Sequence, residues 1–231
     1  MISVQHAVPR SDVLLGILRA EIDDVCAVPP AFDDELRNLL DARRKPLSEQ
    51  DEAVRRAVRD VLRNGRYKPT GRGKPASEYL LRSAEREDEA AFPRINAPVD
   101  VCNYISLKYL VPISLWDLDL AGTSTFVFRL GRPGEAYVFN QGGQAIDLED
   151  LIVGCRLRGG TEEPIVNPVK DSLATKTTAE TRHVAACVYA PEPTVGRGRL
   201  DEICSEFADL LRAAGREAAF GVAGCNETIS V

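Results

Sequence analysis

Residues 96–110 constrain this chain more than any other stretch. Asn96 is a natural N-cap, Pro98 fits a first helical turn, and Asp100 lies near the positive helix end. The pattern therefore predicts a helix running to about Leu110. At about 100° per residue, Val99, Val101, Cys102, Tyr104, Ile105, Leu107 and Leu110 cover almost its whole circumference. A helix apolar all round is enclosed by other elements rather than lying on a surface. Two polar residues, Asn103 and Ser106, fall on one side of it. A buried amide without partners costs roughly 1–3 kcal/mol, so Asn103 either pins a neighbouring backbone segment or faces a polar pocket.

The enclosing elements can be read on either side. Val13 to Ile22 is rich in branched residues and predicts a strand, and Pro29-Pro30 breaks the chain after it. Asp33-Asp34-Glu35 opens a helix to about residue 44, its acidic first turn suiting the helix dipole. Ser48-Glu49-Gln50-Asp51 has the form of a capping box, with Val54, Val58, Val61 and Leu62 at helical spacing behind it and Gly65 as its stop. Residues 77–86 predict a short helix and 85–89 an acidic, exposed run. From Thr125 onward the pattern is β, at 125–130, 136–139, 152–157, 165–166 and 184–189, separated by glycine-rich turns. Pro191 and Pro193 suggest a short linker, 200–213 an amphipathic helix stopped by Gly215, and 218–222 a last strand. Helices bracket and interrupt a β-rich half, which places the fold in the α/β or α+β class with a mixed sheet. A single domain over 1–231 is expected, with a helical segment at about 30–90, a core at about 92–190 and a closing helix at about 198–214.

Charge and motif content narrow the chemistry. With 35 acidic and 29 basic side chains the net charge is −6. A protein that grips nucleic acid over many phosphates carries a basic excess, so any such contact here is local. The local candidate is the basic loop at 66–75, with Lys68, Arg72 and Lys74. His6 and His183 are too few and too far apart for a histidine metal site, and no metal or cofactor is expected. No phosphate loop, dinucleotide fingerprint or nucleophile elbow is present. The six cysteines are scattered without a CxxC and read as reduced, structural thiols. No apolar run approaches the roughly 20 residues of a membrane span. The N-terminus does not read as a signal peptide, so a soluble, cytoplasmic protein is expected.

One pattern goes further. Phe92-Pro93-Arg94-Ile95-Asn96, then Val99-Asp100-Val101-Cys102-Asn103-Tyr104-Ile105-Ser106-Leu107, then Pro112 and Trp116-Asp117-Leu118-Asp119, form a long motif. Thr177-Thr178-Ala179-Glu180-Thr181-Arg182-His183-Val184 forms a second block. Together they resemble the B3/B4 domain, the editing module in the β subunit of bacterial phenylalanyl-tRNA synthetase. The free-standing members are more similar still. They share the helical N-terminal stretch, the basic loop before a short helix, and the closing amphipathic helix. The likeness is strong from about 50 to 190.

The resemblance implies a layered β/β/α sandwich with flanking helices, whose pocket holds the aminoacyl end of a tRNA. In the synthetase that pocket hydrolyses tyrosine wrongly attached to the phenylalanine tRNA. Such an ester is already activated, so fixed donors and a positioned water suffice. The family's pocket asparagine is kept as Asn103. The small hydroxyl residue before it is Cys102, the histidine after the Pro-x step is Ser114, and the glutamate that reads the tyrosine hydroxyl falls at Cys187. The paired glycines upstream of the second block are replaced by Asp171-Ser172. The expected site therefore has Asn103, Asp171, Ser172 and Thr175 orienting water and carbonyl. Cys102, Ser106, Ser114 and Cys187 would line the substrate pocket, and Lys68, Arg72, Lys74 and Arg94 would approach phosphate. Asp100, Asp117 and Asp119 are expected to be structural. The leading function is an aminoacyl-tRNA deacylase acting in trans. A non-catalytic module for tRNA or a free amino acid is the second reading, and a metabolic enzyme reusing the pocket is a third.

Overall fold

The computed structural model of the chain describes residues 1–86 and 92–231, so most of the acidic run at 85–89 lies outside the described residues. The β-strands are β1 (Ser3–His6), β2 (Val13–Ile22), β3 (Ile113–Asp117), β4 (Thr125–Leu130), β5 (Ala136–Val138) and β6 (Ala145–Asp147). They continue with β7 (Ile152–Arg158), β8 (Thr161–Val166), β9 (His183–Pro191), β10 (Gly215–Ala223) and β11 (Thr228–Ser230). The helices are α1 (Phe32–Arg43), α2 (Glu49–Val61), α3 (Ala76–Ala84), α4 (Ala97–Tyr109), α5 (Leu118–Ala121) and α6 (Gly196–Ala213).

Two sheets form. The order β11-β1-β4-β7-β8 makes one, the order β10-β2-β9-β3 the other, and β5-β6 is a separate hairpin. The first sheet is mixed because β1 runs parallel to β4, whereas its other pairs are antiparallel. Strand alternation explains how the sheets stack. Ser114 pairs with Cys187 and Trp116 with Ala185, so these side chains share one face with Tyr189. That face meets the first sheet: Trp116 packs on Phe126 with ring centroids 5.3 Å apart, and Tyr189 on Phe128 at 6.1 Å. The opposite face is covered by helices. Gly16 of β2 lies so close to α6 that a Cβ there would stand 2.4 Å from Cys204 Sγ, which explains a glycine in mid-strand. The result is the expected layered β/β/α arrangement with a mixed sheet.

The helix expected around Asn103 is enclosed as its pattern required: Val101, Cys102, Tyr104, Ile105 and Leu107 are all buried, and α4 packs against α3, α6 and β3. Asn96 caps it, its Oδ1 accepting from Val99 N at 3.2 Å, while its Nδ2 donates to Thr177 Oγ1 at 3.0 Å. This bond ties the first motif to the second. The α4 carboxyl end is held by Arg43, which donates to the carbonyls of Leu107 and Lys108. Ser48 caps α2 as its capping-box form predicts, its Oγ accepting from Asp51 N, and the helix ends at Val61, before Gly65. Pro191 closes β9 rather than forming a linker, and Gly215 opens β10. Among the described residues no helix is long and apolar enough to cross a membrane.

Candidate functional site

Asn103 and Ser106, three residues apart on α4, open onto a cavity of about 240 Å³. Ala76, Tyr79 and Leu80 of α3, Ile113 of β3, and Val169 and Lys170 of the loop after β8 complete its lining. Ser106 spends its hydroxyl on Val111 O at 2.7 Å. Asn103 is half-buried, and its side chain makes no hydrogen bond to any described residue. The amide therefore faces a pocket rather than pinning a backbone segment, but a pocket walled mainly by apolar side chains and not the polar one expected.

Tyr79 and Lys170 also line a second, larger cleft of about 920 Å³, with Arg66, Tyr67, Lys68, Arg72 and Gly73 on one wall and Phe139 and residues 144–147 and 149 on the other. The basic loop is fixed by its own aromatics: Tyr67 donates to Gly73 O at 2.6 Å and Tyr79 to Arg72 O at 2.8 Å. Lys68 and Arg72 are exposed and form no ion pair with a described residue, while Glu149 across the cleft is paired with Arg66 at 2.9 Å. Lys170 Nζ lies 4.1 Å from the centroid of Phe139. Partial burial, and then the nearby charge of Arg72, push its pKa down, as two cations sharing one cleft require. Lys170 is presented by a tightly determined loop. Asn167 Oδ1 accepts from Val169 N and Lys170 N, both at 2.8 Å, and Tyr137 donates to Lys170 O at 2.7 Å.

Several expected site residues lie elsewhere. Ser114 follows the cavity-lining Ile113 in a strand, so alternation turns it into the space between the sheets. There it is fully buried, donating to Asn167 O at 2.9 Å with Tyr189 Oη 3.0 Å away. Cys187, its strand partner, faces the same interior, and burial drives its thiol pKa far up. Neither touches the cavity, which corrects their assignment as substrate-lining residues. Cys102, one residue before Asn103, is likewise buried off the cavity, its thiol pushed up by burial and then by the charge of Asp171.

The polar set of the 167–176 loop is committed to structure. β3 is an edge strand, and Asp171 Oδ2 accepts its outward Leu115 N at 3.1 Å, while Oδ1 takes Asn167 N at 3.4 Å. Desolvation of that carboxylate raises its pKa to about 7, against the smaller opposing effect of these hydrogen bonds. Ser172 Oγ caps the 3-10 turn Leu173–Thr175 by accepting from Ala174 N at 3.2 Å. Thr175 is buried, with its hydroxyl unpartnered. None of the three lines the cavity beside Asn103. Arg94 is bound to Asp100 at 2.7 Å and Asp33 at 2.9 Å, away from the basic cleft, and Lys74 is not part of the cleft wall. Asp117 is structural as expected, capping α5 at Leu120 N and accepting from Thr181 Oγ1. Lys170 and Phe139 were carried by no motif. Tyr67 and Tyr79, by contrast, interleave with the cations of the basic loop, a pattern that single-strand binders use.

A family model described as the B3/4 domain matches residues 72–205, more than half of the chain. The chain belongs to the B3/4 domain family. The matched B3/4 segment begins in the basic loop and runs through α3, α4, β3 to β9 and into α6, so it contains every residue of the Asn103 cavity. Among curated proteins none matches the chain. Among the described residues no three His, Cys, Asp or Glu side chains group to hold a metal ion.

Proposed function

We propose that this B3/4 protein binds the aminoacyl end of tRNA and hydrolyses mischarged species in trans. The observation that carries the reading is the unspent amide of Asn103 in a cavity that shares Tyr79 and Lys170 with an unpaired basic cleft. Lys68 and Arg72 meet backbone phosphates of the single-stranded 3′ end, which positions the ligand without reading its bases. The aminoacyl group enters the smaller cavity. Asn103 orients the ester carbonyl or the attacking water, and the Lys170 ammonium offers positive charge to the oxyanion that develops. Water adds to the carbonyl carbon, the ester C–O bond breaks, and the ribose oxygen leaves with a proton, releasing the free amino acid.

Incubation of the protein with a panel of mischarged tRNAs tests this directly. Deacylation is expected to accelerate for at least one of them. Asn103→Ala is expected to slow it about 10²-fold with little loss of tRNA affinity, the cost typical of removing one transition-state donor. No acceleration across the panel overturns the catalytic reading. A non-catalytic binding module is the second reading. The burial of Ser114 and Cys187, and the structural engagement of Asp171 and Ser172, favour it. Tight binding of charged tRNA without turnover, weakened by Asn103→Ala, would single it out.

A further inference from the structure

Resting on the aminoacyl-ester reading above, we infer that the Asn103 cavity selects uncharged aliphatic side chains of up to about leucine size and excludes aromatic and cationic ones. Size is the first argument. The cavity holds about 240 Å³. A cavity of about 150 Å³ accommodates benzene, so this one takes roughly ten non-hydrogen atoms. A leucyl group, backbone included, needs about eight and a tyrosyl group about twelve, so the first is held within it and the second extends past its mouth toward the cleft that shares Tyr79 and Lys170.

Lining chemistry is the second argument. Ala76, Leu80, Ile113 and Val169 give aliphatic walls, and the one aromatic among the described lining residues, Tyr79, stands at the boundary with the cleft. Among the described residues no carboxylate lines the cavity, so a lysyl or arginyl side chain would be desolvated with none of them to pair it. The Ser106 hydroxyl is already spent on Val111 O, which leaves Asn103 as the free neutral group. One amide can serve the main-chain carbonyl or amine that every aminoacyl ester carries. It is then not available to read a polar side chain. The positive charge of Lys170 stands where cavity and cleft meet, at the ester rather than among the aliphatic walls.

The test uses the full chain and one tRNA transcript charged in turn with valine, isoleucine, leucine, phenylalanine, tyrosine and lysine. Hydrolysis is read alongside binding of the matching non-hydrolysable 3′-amide aminoacyl-adenosines. Valyl, isoleucyl and leucyl forms are expected to be preferred by roughly tenfold or more over the other three, the discrimination that a shaped apolar pocket supplies. Equal or better use of phenylalanyl, tyrosyl or lysyl forms overturns this inference and leaves the aminoacyl-ester reading standing. Failure to bind or hydrolyse any of the six overturns both. Leu80→Ala is expected to admit the phenylalanyl form while keeping the leucyl one. Val169→Phe is expected to lose the leucyl form, with circular dichroism confirming that each variant folds.

Discussion

Asp171 holds its charge against the pull of its surroundings. Its carboxylate satisfies the backbone of an edge strand, yet desolvation lifts its pKa to about 7 from an ordinary 3.8. The folded state therefore binds a proton more tightly than the unfolded chain does. The stability this confers is complete below about pH 4 and is lost as pH rises through 7. Asp171→Asn retains an oxygen for Leu115 N and has no charge to desolvate. It is expected to match the parent protein near pH 4 and to exceed it by up to about 4 kcal/mol at pH 8, measured by denaturant unfolding across that range. A variant less stable than the parent at pH 8 would mean that the ionised form is the one the fold prefers. The role of this residue is set by tertiary pairing rather than by its sequence neighbours. Asp171, Ser172 and Thr175 form a polar run that looks catalytic when read in line. Only the pairing of β3 with β9 reveals that one side of β3 is open and that this loop has to close it.

Helices were more legible than strands, and the reason is local. Caps, dipole-suited charges and apolar spacing act within a turn or two, so α1, α2, α4 and α6 could be read to within a few residues. The strands β1, β3, β6 and β11 were not read. They are short, and their partners are remote: Ser3 of β1 pairs with Ser230 at the far end of the chain. In β3 all five residues are buried, so no alternation betrays it. The start of α4 is where helix and sheet layers are joined, because Asn96 uses its oxygen on the helix and its amide on Thr177. Asn96→Ala removes both bonds and is expected to cost about 2 kcal/mol, whereas Asn96→Asp keeps the cap, loses only the Thr177 donor and is expected to cost about half as much. Thermal and urea unfolding of the two variants measures this. Equal losses would place the stabilisation in the Thr177 bond alone.

At the scale of the molecule, a chain of net charge −6 sets three cations that pair with no described carboxylate, Lys68, Arg72 and Lys170, around one cleft. No reading of the sequence brings the cleft together, because its walls come from residues 66–79, 139–149 and 170, which only the packed fold makes neighbours. Most other arginines are bound to carboxylates, among them Arg59 to Glu78 and Arg129 to Glu135 and Glu162. Within the cleft this leaves Lys68 and Arg72 for phosphate, with Lys170 at the ester. Each phosphate neutralised on a single strand contributes about −0.7 to the slope of log affinity against log salt, so two contacts give a slope near about −1.4. Lys68→Gln and Arg72→Gln are each expected to weaken tRNA binding and flatten the slope by about 0.7, while leaving stability unchanged because neither side chain is paired in the fold. Filter binding or fluorescence titration between low and physiological salt provides the measurement. A slope steeper than about −5 would require a wide surface gripping the tRNA body. A slope untouched by both substitutions would move the phosphates out of the cleft and separate the cavity at Asn103 from any nucleic-acid partner.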